Sequence, residues 1–257
     1  MGRRSSYVPG TPCWVDLDVT DAEAAARFYG GIFGWRRAEA PKNAGYFVFT
    51  LDGTAVAGME PMTEEDVAAG GRPGWNTYVS VTDVEASASL AADLGGTVVD
   101  EPHEVQDAGI AACIADPDGA RLWLWQPDTF IGAGLVNEVN AWVWNDLLTP
   151  DPAESAPFYR ELFGWEIAEA PGSGGVYWGV TLEGRRIGGI MKAPPGVDHP
   201  FWTVYFGAES VDEALERIQA AGGGRVTEPM DVPAGRFAMA HDTFGAPFGL
   251  IAAQYDP

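Results

Sequence analysis

The chain opens with alternating polar and apolar residues, which is typical of a β-strand buried on one face. Within residues 14–19 every second position is apolar, and these positions are Val15, Leu17 and Val19. Asp21 follows where a helix N-cap belongs, and apolar residues then recur at helical spacing until Gly34 ends the pattern. The segment therefore predicts a strand followed by an amphipathic helix.

A hairpin is predicted next. Two strand-like runs, Tyr46–Leu51 and Thr54–Met59, are joined by Asp52-Gly53, a dipeptide that favours the tight turn between antiparallel strands. The stretch Glu64–Pro73 is first acidic and then rich in glycine, and it is predicted as a linker.

The first half ends with one more helix and several strands. A strand over Asn76–Val81 precedes a helix that opens with the capping box Thr82-x-x-Glu85 and stops at Gly95-Gly96. The strands that complete the half are predicted near Thr97–Val99, Ile110–Ala115 and Arg121–Trp125.

The second half of the chain repeats the first. Residues 28–35 read Phe-Tyr-Gly-Gly-Ile-Phe-Gly-Trp, and residues 158–165 read Phe-Tyr-Arg-Glu-Leu-Phe-Gly-Trp. Three further pairs match, Trp14 with Trp144, Asp16 with Asp146 and Asp21 with Asp151. A repeat of half the chain length predicts a duplicated domain. We therefore predict two domains, residues 1–132 and residues 133–257, each containing the pattern βαβββ twice.

Composition and charge narrow the class of protein. Hydrophobic residues make up 46% of the 257 residues, enough for two cores, and 37 acidic against 15 basic residues give a formal net charge of −22. Such a charge repels phosphate backbones and anionic lipids, so neither nucleic acid nor a membrane is expected as a partner. Two cysteines, no apolar transmembrane run and no secretory signal favour a cytoplasmic protein.

The pattern resembles the vicinal-oxygen-chelate superfamily, which includes glyoxalase I, bleomycin-resistance proteins and extradiol dioxygenases. The residues that carry the resemblance are Asp21, Phe28-Tyr29, Phe33-Gly34-Trp35 and the turn Asp116-Pro117-Asp118-Gly119, with their second-half counterparts. More narrowly, the chain resembles two-domain actinobacterial glyoxalase-like proteins, often labelled hydroxylases or antigens, some of which belong to antibiotic clusters. The resemblance implies an α+β fold of tandem domains, each with a curled mixed sheet around a cleft.

Metal-dependent members of that superfamily use four positions to supply His, Gln or Glu to a divalent cation. Counting from the shared landmarks places them at Trp14, about Gly58, Asn76 and Trp123, and at Trp144, about Gly189, Thr203 and Gly249. Indole rings and glycines do not ligate such cations, so we predict no metal and no cofactor. The histidines, predicted in or beside loops without a partner at ligand spacing, are His103, His199 and His241.

Strand alternation predicts which side chains enter each cleft. Asp16 and Asp146 are the candidate catalytic carboxylates. The candidate ligand-binding residues are Trp14, Asn76, Tyr78 and Trp123 in the first half, and Trp142, Trp144, Thr203 and Tyr205 in the second. Aromatic walls with a few polar groups are typical of small-molecule pockets, although the same rings would also fill a core. A carboxylate there would pair with a ligand ammonium, act as an acid or base, or be held by backbone donors for structure.

Four functions stay open at this point. The leading hypothesis is a metal-independent protein that binds a small aromatic or amphiphilic molecule, such as a secondary metabolite or a drug, for sequestration or for delivery to a biosynthetic partner enzyme. The second is a metal-independent enzyme in which Asp16 or Asp146 performs acid–base chemistry on a carbonyl or polyketide-like substrate. The third is a metal-dependent lyase or dioxygenase. A purely structural role is a further alternative.

Overall fold

Strands dominate the protein. A computed structural model of the chain describes residues 2–39, 45–197 and 199–253. The elements of the first half are β1 (Pro12–Val19), α1 (Ala22–Phe33), β2 (Arg36–Glu39), β3 (Phe47–Leu51), β4 (Thr54–Pro61), α2 (Glu64–Ala68), β5 (Gly74–Ser80), α3 (Val84–Asp93), β6 (Thr97–Val105), β7 (Gly109–Ala115) and β8 (Arg121–Pro127).

The second half repeats this order with small additions. Its elements are β9 (Trp142–Thr149), α4 (Pro152–Phe163), β10 (Glu166–Glu169), β11 (Tyr177–Leu182), β12 (Arg185–Lys192), β13 (Phe201–Gly207), α5 (Val211–Ala220), β14 (Gly224–Arg225), β15 (Met230–Val232), β16 (Gly235–His241) and β17 (Pro247–Ala252).

Each half forms one mixed sheet. The first sheet has eight strands in the order β2-β3-β4-β1-β5-β8-β7-β6, and the second has nine, in the order β10-β11-β12-β9-β13-β17-β16-β14 with β15 beside β16. Within each βαβββ unit the first and last strands run parallel, as β1 with β4 and β5 with β8. The units join through antiparallel central pairs, β1 with β5 and β9 with β13. The α+β class and the tandem arrangement are confirmed.

Local sequence signals fix several element ends. Asp21 is in an extended conformation and its side chain accepts from the backbone N–H of Ala24, while Gly34 ends α1 at φ 72°. The hairpin between β3 and β4 turns at Asp52 and Gly53, both with positive φ (50° and 75°), the conformation that a tight antiparallel hairpin needs. These caps and this turn agree with the sequence prediction.

Three details of the sequence prediction are wrong. The predicted linker contains the short helix α2, because Thr63 and Asp66 cap its start reciprocally. Helix α3 begins one residue later than predicted, because the Asp83 side chain, one residue after the expected Thr82, accepts from the backbone of Ala86. His103 lies in β6 and not in a loop.

Two hydrophobic cores are shared between the halves. The first core joins α1 and β1 to α5, β13 and β17, and Phe33 there lies 5.2 Å from Phe206 between ring centroids. The second core joins α3, β7 and β8 to α4, β9 and β12. Because the helices of one half pack with elements of the other, neither half buries its apolar helix face alone.

Two tyrosines tie the halves together reciprocally. Tyr29 of α1 donates to Oδ2 of Asp242 in the second half at 3.0 Å, and Trp75 Nε1 donates to the Tyr29 hydroxyl at 3.1 Å. In the mirror arrangement Tyr159 of α4 donates to Oδ2 of Asp116 at 2.8 Å. Both tyrosines are fully buried. We call these contacts the reciprocal tyrosine bonds.

Among the described residues no helix is long and apolar enough to span a membrane.

Removing either reciprocal bond should destabilise the whole chain. We expect Tyr29→Phe and Tyr159→Phe each to lower the free energy of unfolding by about 1–3 kcal/mol, because each leaves a buried carboxylate oxygen without its donor. Denaturant titrations followed by circular dichroism measure this. The double variant should show the sum of the single losses, since the two bonds share no partner. Unchanged midpoints in both single variants would contradict the role assigned to these bonds.

Candidate functional site

A buried carboxylate lies at the centre of the second sheet. Asp146 in β9 pairs with Gly189 of β12 on one side and with Thr203 of β13 on the other. Paired residues of neighbouring strands point to the same face. Asp146 is 5% exposed and its two neighbours across the strands carry small side chains, so polar groups from more distant positions reach it.

Three ring donors surround this carboxylate. Trp144 Nε1 and the Tyr177 hydroxyl each donate to Asp146 Oδ1 at 2.9 Å, and Trp144 Nε1 also lies 3.1 Å from the Tyr177 oxygen. Tyr205 supplies a further hydrogen bond. Burial raises the pKa of Asp146 to about 6, against the lowering effect of the bonds from Trp144, Tyr177 and Tyr205. Near neutral pH the group is therefore close to its titration range.

The first sheet holds the equivalent arrangement around Asp16. The hydroxyls of Tyr78 and Tyr46 donate to Asp16 Oδ2 at 2.7 and 3.1 Å, and Asn76 Nδ2 donates to Oδ1 at 3.0 Å. Trp14 Nε1 donates to the Tyr46 hydroxyl at 2.8 Å. The structure thus brings together four of the residues predicted for the first-half site. Asn76 and Tyr78 contact Asp16 directly, and Trp14 is linked to it through the Tyr46 hydroxyl.

Two glycines leave the space through which Tyr46 reaches Asp16 and Tyr177 reaches Asp146. A Cβ at Gly58 would lie 2.0 Å from the Tyr46 hydroxyl, and one at Gly189 would lie 2.1 Å from the Tyr177 hydroxyl. Any side chain at these positions would displace the tyrosine. Tyr46 and Tyr177 were not among the residues predicted for the site. Glycine inside a strand, which marks close approach of another group, was the available signal at Gly58 and Gly189.

Charge distinguishes the two sites. Burial raises the pKa of Asp16 to about 7, and the neighbouring carboxylates Asp18 and Glu60 add to the rise, opposed by the bonds from Tyr78 and Asn76. The pKa values of Asp18 and Glu60 are themselves raised, mainly by burial. Among the described residues, no second carboxylate contributes to the pKa of Asp146. The first site is therefore an acidic cluster, whereas the second contains one carboxylate among rings.

The concave face of the first sheet is covered by aromatic side chains. Trp123 stacks on Tyr78 with ring centroids 5.4 Å apart and planes at 17°. Phe130, from the segment after β8, contacts Trp14 edge-on at 4.9 Å, and Trp125 Nε1 donates to the Phe130 carbonyl at 2.9 Å. Trp14 is 3% exposed and belongs to the first core. The chain itself thus occupies much of this cleft.

The second sheet also presents an apolar wall. Met239 pairs with Gly249, which pairs with Tyr205 and through it with Trp144, so these positions share the face of Asp146. The large apolar residues along this face are partly exposed and belong to neither core: Trp144, Met191, Phe237, Met239 and Ile251.

Thr203 has an unusual environment. It is 1% exposed, and its hydroxyl oxygen has no hydrogen-bond partner among the described residues. The equivalent first-half residue, Asn76, is bonded to Asp16. A buried hydroxyl without a partner costs stability, which makes this position a candidate for contact with a bound group.

Trp142 does not share the face of Trp144, and the prediction that placed it in the cleft is wrong. A β-bulge between these residues breaks the alternation. Trp142 lies in the first core, where its Nε1 donates to Asn145 Oδ1 at 2.7 Å. Asn145 in turn donates to Thr77 Oγ1 of the first half at 2.6 Å. Trp142 therefore supports the contact between the halves.

Comparison with known families gives matches in both halves. A family described as glyoxalase-like domain matches residues 14–124, and the glyoxalase/bleomycin resistance protein/dioxygenase superfamily matches residues 139–250.

Full-length relatives are also found. CFP32 of Mycobacterium tuberculosis, named as a proposed glyoxylase, is 40% identical over 98% of both chains. The anthracycline biosynthesis protein DauV of Streptomyces sp. strain C5 is 29% identical, covering 95% of this chain and 94% of its own. The anthracycline biosynthesis protein DnrV of Streptomyces peucetius is 28% identical with the same coverage.

Solved structures share the fold at low sequence identity. The Mn(II)-bound glyoxalase from Novosphingobium aromaticivorans has a TM-score of 0.66 at 16% identity, covering 96% of this chain and 83% of that one. The 2,3-dioxygenase LapB from Pseudomonas sp. KL28 has a TM-score of 0.65 at 18% identity, covering 96% and 93%. These likenesses concern the fold alone.

The residues at the superfamily's metal positions do not fit a metal ion. They are indoles, glycines, one amide and one hydroxyl: Trp14, Gly58, Asn76, Trp123, Trp144, Gly189, Thr203 and Gly249. Within residues 2–39, 45–197 and 199–253, no three His, Cys, Asp or Glu side chains are grouped to hold a metal. We therefore assign no catalytic step to a metal.

This donor set predicts weak metal binding. Elemental analysis of freshly purified protein should find zinc, nickel, iron and manganese well below one equivalent each, since indole and glycine supply no ligand. A stoichiometric metal that only a strong chelator removes would contradict this prediction.

The raised pKa of Asp146 predicts a specific pH dependence. A carboxyl whose pKa rises from 3.8 to about 6 on folding stabilises the fold below pH 4 and loses that contribution as pH increases through 6. The stability of Asp146→Asn relative to wild type should therefore increase between pH 4 and pH 7, by roughly 3 kcal/mol at most. Denaturant titrations at several pH values measure it. A difference that stays constant with pH would show that Asp146 titrates normally.

Proposed function

Because the chain belongs to the glyoxalase/bleomycin resistance protein/dioxygenase superfamily, we propose that it uses the concave face of this fold to bind a small aromatic or amphiphilic molecule without a metal. The observation that carries the proposal is the partly exposed row of rings and thioethers beside the buried carboxylate Asp146. Aromatic and apolar walls with few polar groups are the usual composition of ligand sites.

The relatives support a ligand from secondary metabolism. Two of them are named for anthracycline biosynthesis, and anthracyclines contain fused aromatic rings. A binding protein in such a setting sequesters the product or delivers an intermediate to a partner enzyme. The net charge of −22 disfavours anionic ligands, nucleic acids and membrane surfaces.

A second candidate function is metal-independent acid–base catalysis. The observation in its favour is that burial raises the pKa of Asp16 to about 7 and of Asp146 to about 6. A carboxyl that titrates near neutral pH is suited to exchange a proton with a carbonyl or polyketide-like substrate. The two candidates use the same residues and differ in whether Asp146 changes protonation during a turnover.

Tryptophan fluorescence tests binding. Alizarin, a hydroxylated anthraquinone, should quench the fluorescence saturably, because several tryptophans lie at or near the concave faces. Trp144→Ala should weaken binding by about 1–3 kcal/mol through loss of one large contact surface. Exposed Val176→Ala, outside this face, serves as a control for general destabilisation. Quenching that does not saturate in the wild-type protein would contradict the proposed binding.

Asp146→Asn separates the two candidates. The substitution keeps the size of the side chain and removes its charge and titration. For a catalyst, consumption of a carbonyl substrate by the wild-type protein, followed by mass spectrometry, should fall at least about tenfold in the variant while binding persists. For a binding protein, substrate is recovered unchanged from both proteins. Turnover equal in both would exclude Asp146 as the acid or base.

A further inference from the structure

We infer that the outer edge of the first sheet binds an extended basic segment of a partner protein. The site is a groove between α3 and the edge strand β6, which we call the edge groove. Val98 in this groove packs against the second core, on the side of the sheet that faces the helices, so the groove is separate from the concave face. Its function is additional to the small-molecule binding proposed above.

Strand register aligns this edge with the equivalent edge of the second half. The pairs Arg225–Ala240 and Asp231–Arg236 of the second half correspond to Val98–Ile114 and Glu104–Ile110 of the first. The N-caps Asp83 and Ser210 align α3 with α5 in the same way. The equivalent positions are therefore Glu85 with Asp212, Val98 with Arg225, Glu101 with Glu228, Glu104 with Asp231 and Ile110 with Arg236.

In the second half two arginines neutralise the carboxylates of this edge. Arg236 donates to both carboxylate oxygens of Asp212, at 2.6 and 2.9 Å, and to Asp231 at 3.3 Å. Arg225 lies 3.0 Å from the carboxylate of Glu228. The chain thus supplies a cation to each of these three acidic side chains.

The first half keeps the carboxylates but lacks both arginines. Val98 and Ile110 occupy the arginine positions. Glu85, Glu101 and Glu104 are exposed, and within the described ranges of the chain none of them forms an ion pair. A bound molecule that brings two cations to these positions would reproduce the arrangement of the second half and relieve the repulsion between the carboxylates.

The edge groove has room for an apolar side chain between the acidic groups. Its volume is about 380 Å³, and its lining residues are Glu85, Ala88, Ser89, Val98, Glu101 and Pro102. Ala88 is small where α5 has Leu215, which leaves space beside the helix. The floor formed by Ala88, Val98 and Pro102 is apolar, whereas carboxylates line the groove beside it.

The shape of β6 determines how a segment binds there. The pairing of β6 with β7 shifts register on both sides of Asp100, and Pro102 has no backbone N–H. Such an irregular edge disfavours the addition of a further strand, so recognition rests on side chains. One basic residue of the partner pairs with Glu101, and a second lies between Glu85 and Glu104. Arginine suits both places because its planar group can bond two carboxylate oxygens at once.

Charge favours a basic protein segment over other occupants. Within residues 64–128 the permanently cationic residues are Arg72 and Arg121, among many carboxylates, so this part of the surface attracts cations at long range. It repels nucleic acid and anionic membranes. A second copy of the chain is disfavoured too, because each copy carries a formal net charge of −22.

An NMR titration with a synthetic peptide tests this docking. In the extended peptide acetyl-Gly-Arg-Ala-Leu-Ala-Arg-Gly-amide the two arginines and the leucine point to one face. At low ionic strength it should shift the backbone amide signals of Glu85, Val98 and Glu101 saturably. The double variant Glu85→Gln/Glu101→Gln should weaken the affinity about tenfold, because both cations lose a partner.

Two further variants make the result specific. The matched control Glu64→Gln/Glu65→Gln removes the same charge from the exposed start of α2, and the affinity should change by less than about twofold. Val98→Arg/Ile110→Arg transfers the two arginines of the second half to the first. This variant should lose peptide binding while its circular dichroism stays that of wild type, since the chain then supplies both cations. If this variant does not fold, the two glutamine double variants decide.

Several outcomes would contradict the docking. Equal weakening by both glutamine double variants would show attraction to net charge alone. Displacement of the peptide by equimolar spermine, or equal affinity for a peptide with serine in place of leucine, would show a general cation patch without a role for the groove floor. Absence of saturable shifts in wild type would exclude the site. None of these results affects alizarin binding at the concave face, which is measured separately.

Discussion

The hydrogen bond from a buried tyrosine to an aspartate of the other half is the constraint on which the arrangement depends. Tyr29 bonds to Asp242, and Tyr159 bonds to Asp116, so each half supplies one donor and one acceptor. Asp242 also accepts from the backbone of Phe244 and Ala246 within its own turn. The Asp242 carboxylate therefore stabilises its own turn and also binds α1 of the other half. The shared cores therefore require both halves, because each buried aspartate accepts its hydrogen bond from a tyrosine of the other half.

The contacts between the halves are made largely by the strand faces that pack against the helices. Apolar strand residues such as Val15 and Leu147 pack with helices in the shared cores, whereas Asp16 and Asp146 on the alternate positions face away from them. Duplication then allows the two concave faces to diverge. One has become acidic and is filled by Trp123 and Phe130. The other keeps a single carboxylate, small neighbours and partly exposed apolar side chains.

Hydrogen-bond donors organise the centres around Asp16 and Asp146. At the positions counted from the sequence as metal positions, this chain has mainly rings and glycines. Gly58 and Gly189 leave space there for the hydroxyls of Tyr46, directly before β3, and Tyr177, in β11. Tyrosine and tryptophan donors then surround a carboxylate that burial drives towards its neutral form. Such a centre offers acceptors and titratable protons to organic groups, which suits binding or proton transfer.

The sequence by itself determined the duplication, the βαβββ order, the helix caps at Asp21 and Asp151, and the central position of Asp16 and Asp146. These follow from local patterns, since alternation and capping depend on neighbouring residues. Only the tertiary structure placed Tyr46 and Tyr177 on the carboxylates, moved Trp142 into the interface through a bulge, and closed the first cleft with Phe130. These features depend on strand register and on contacts between distant segments, which no local periodicity encodes.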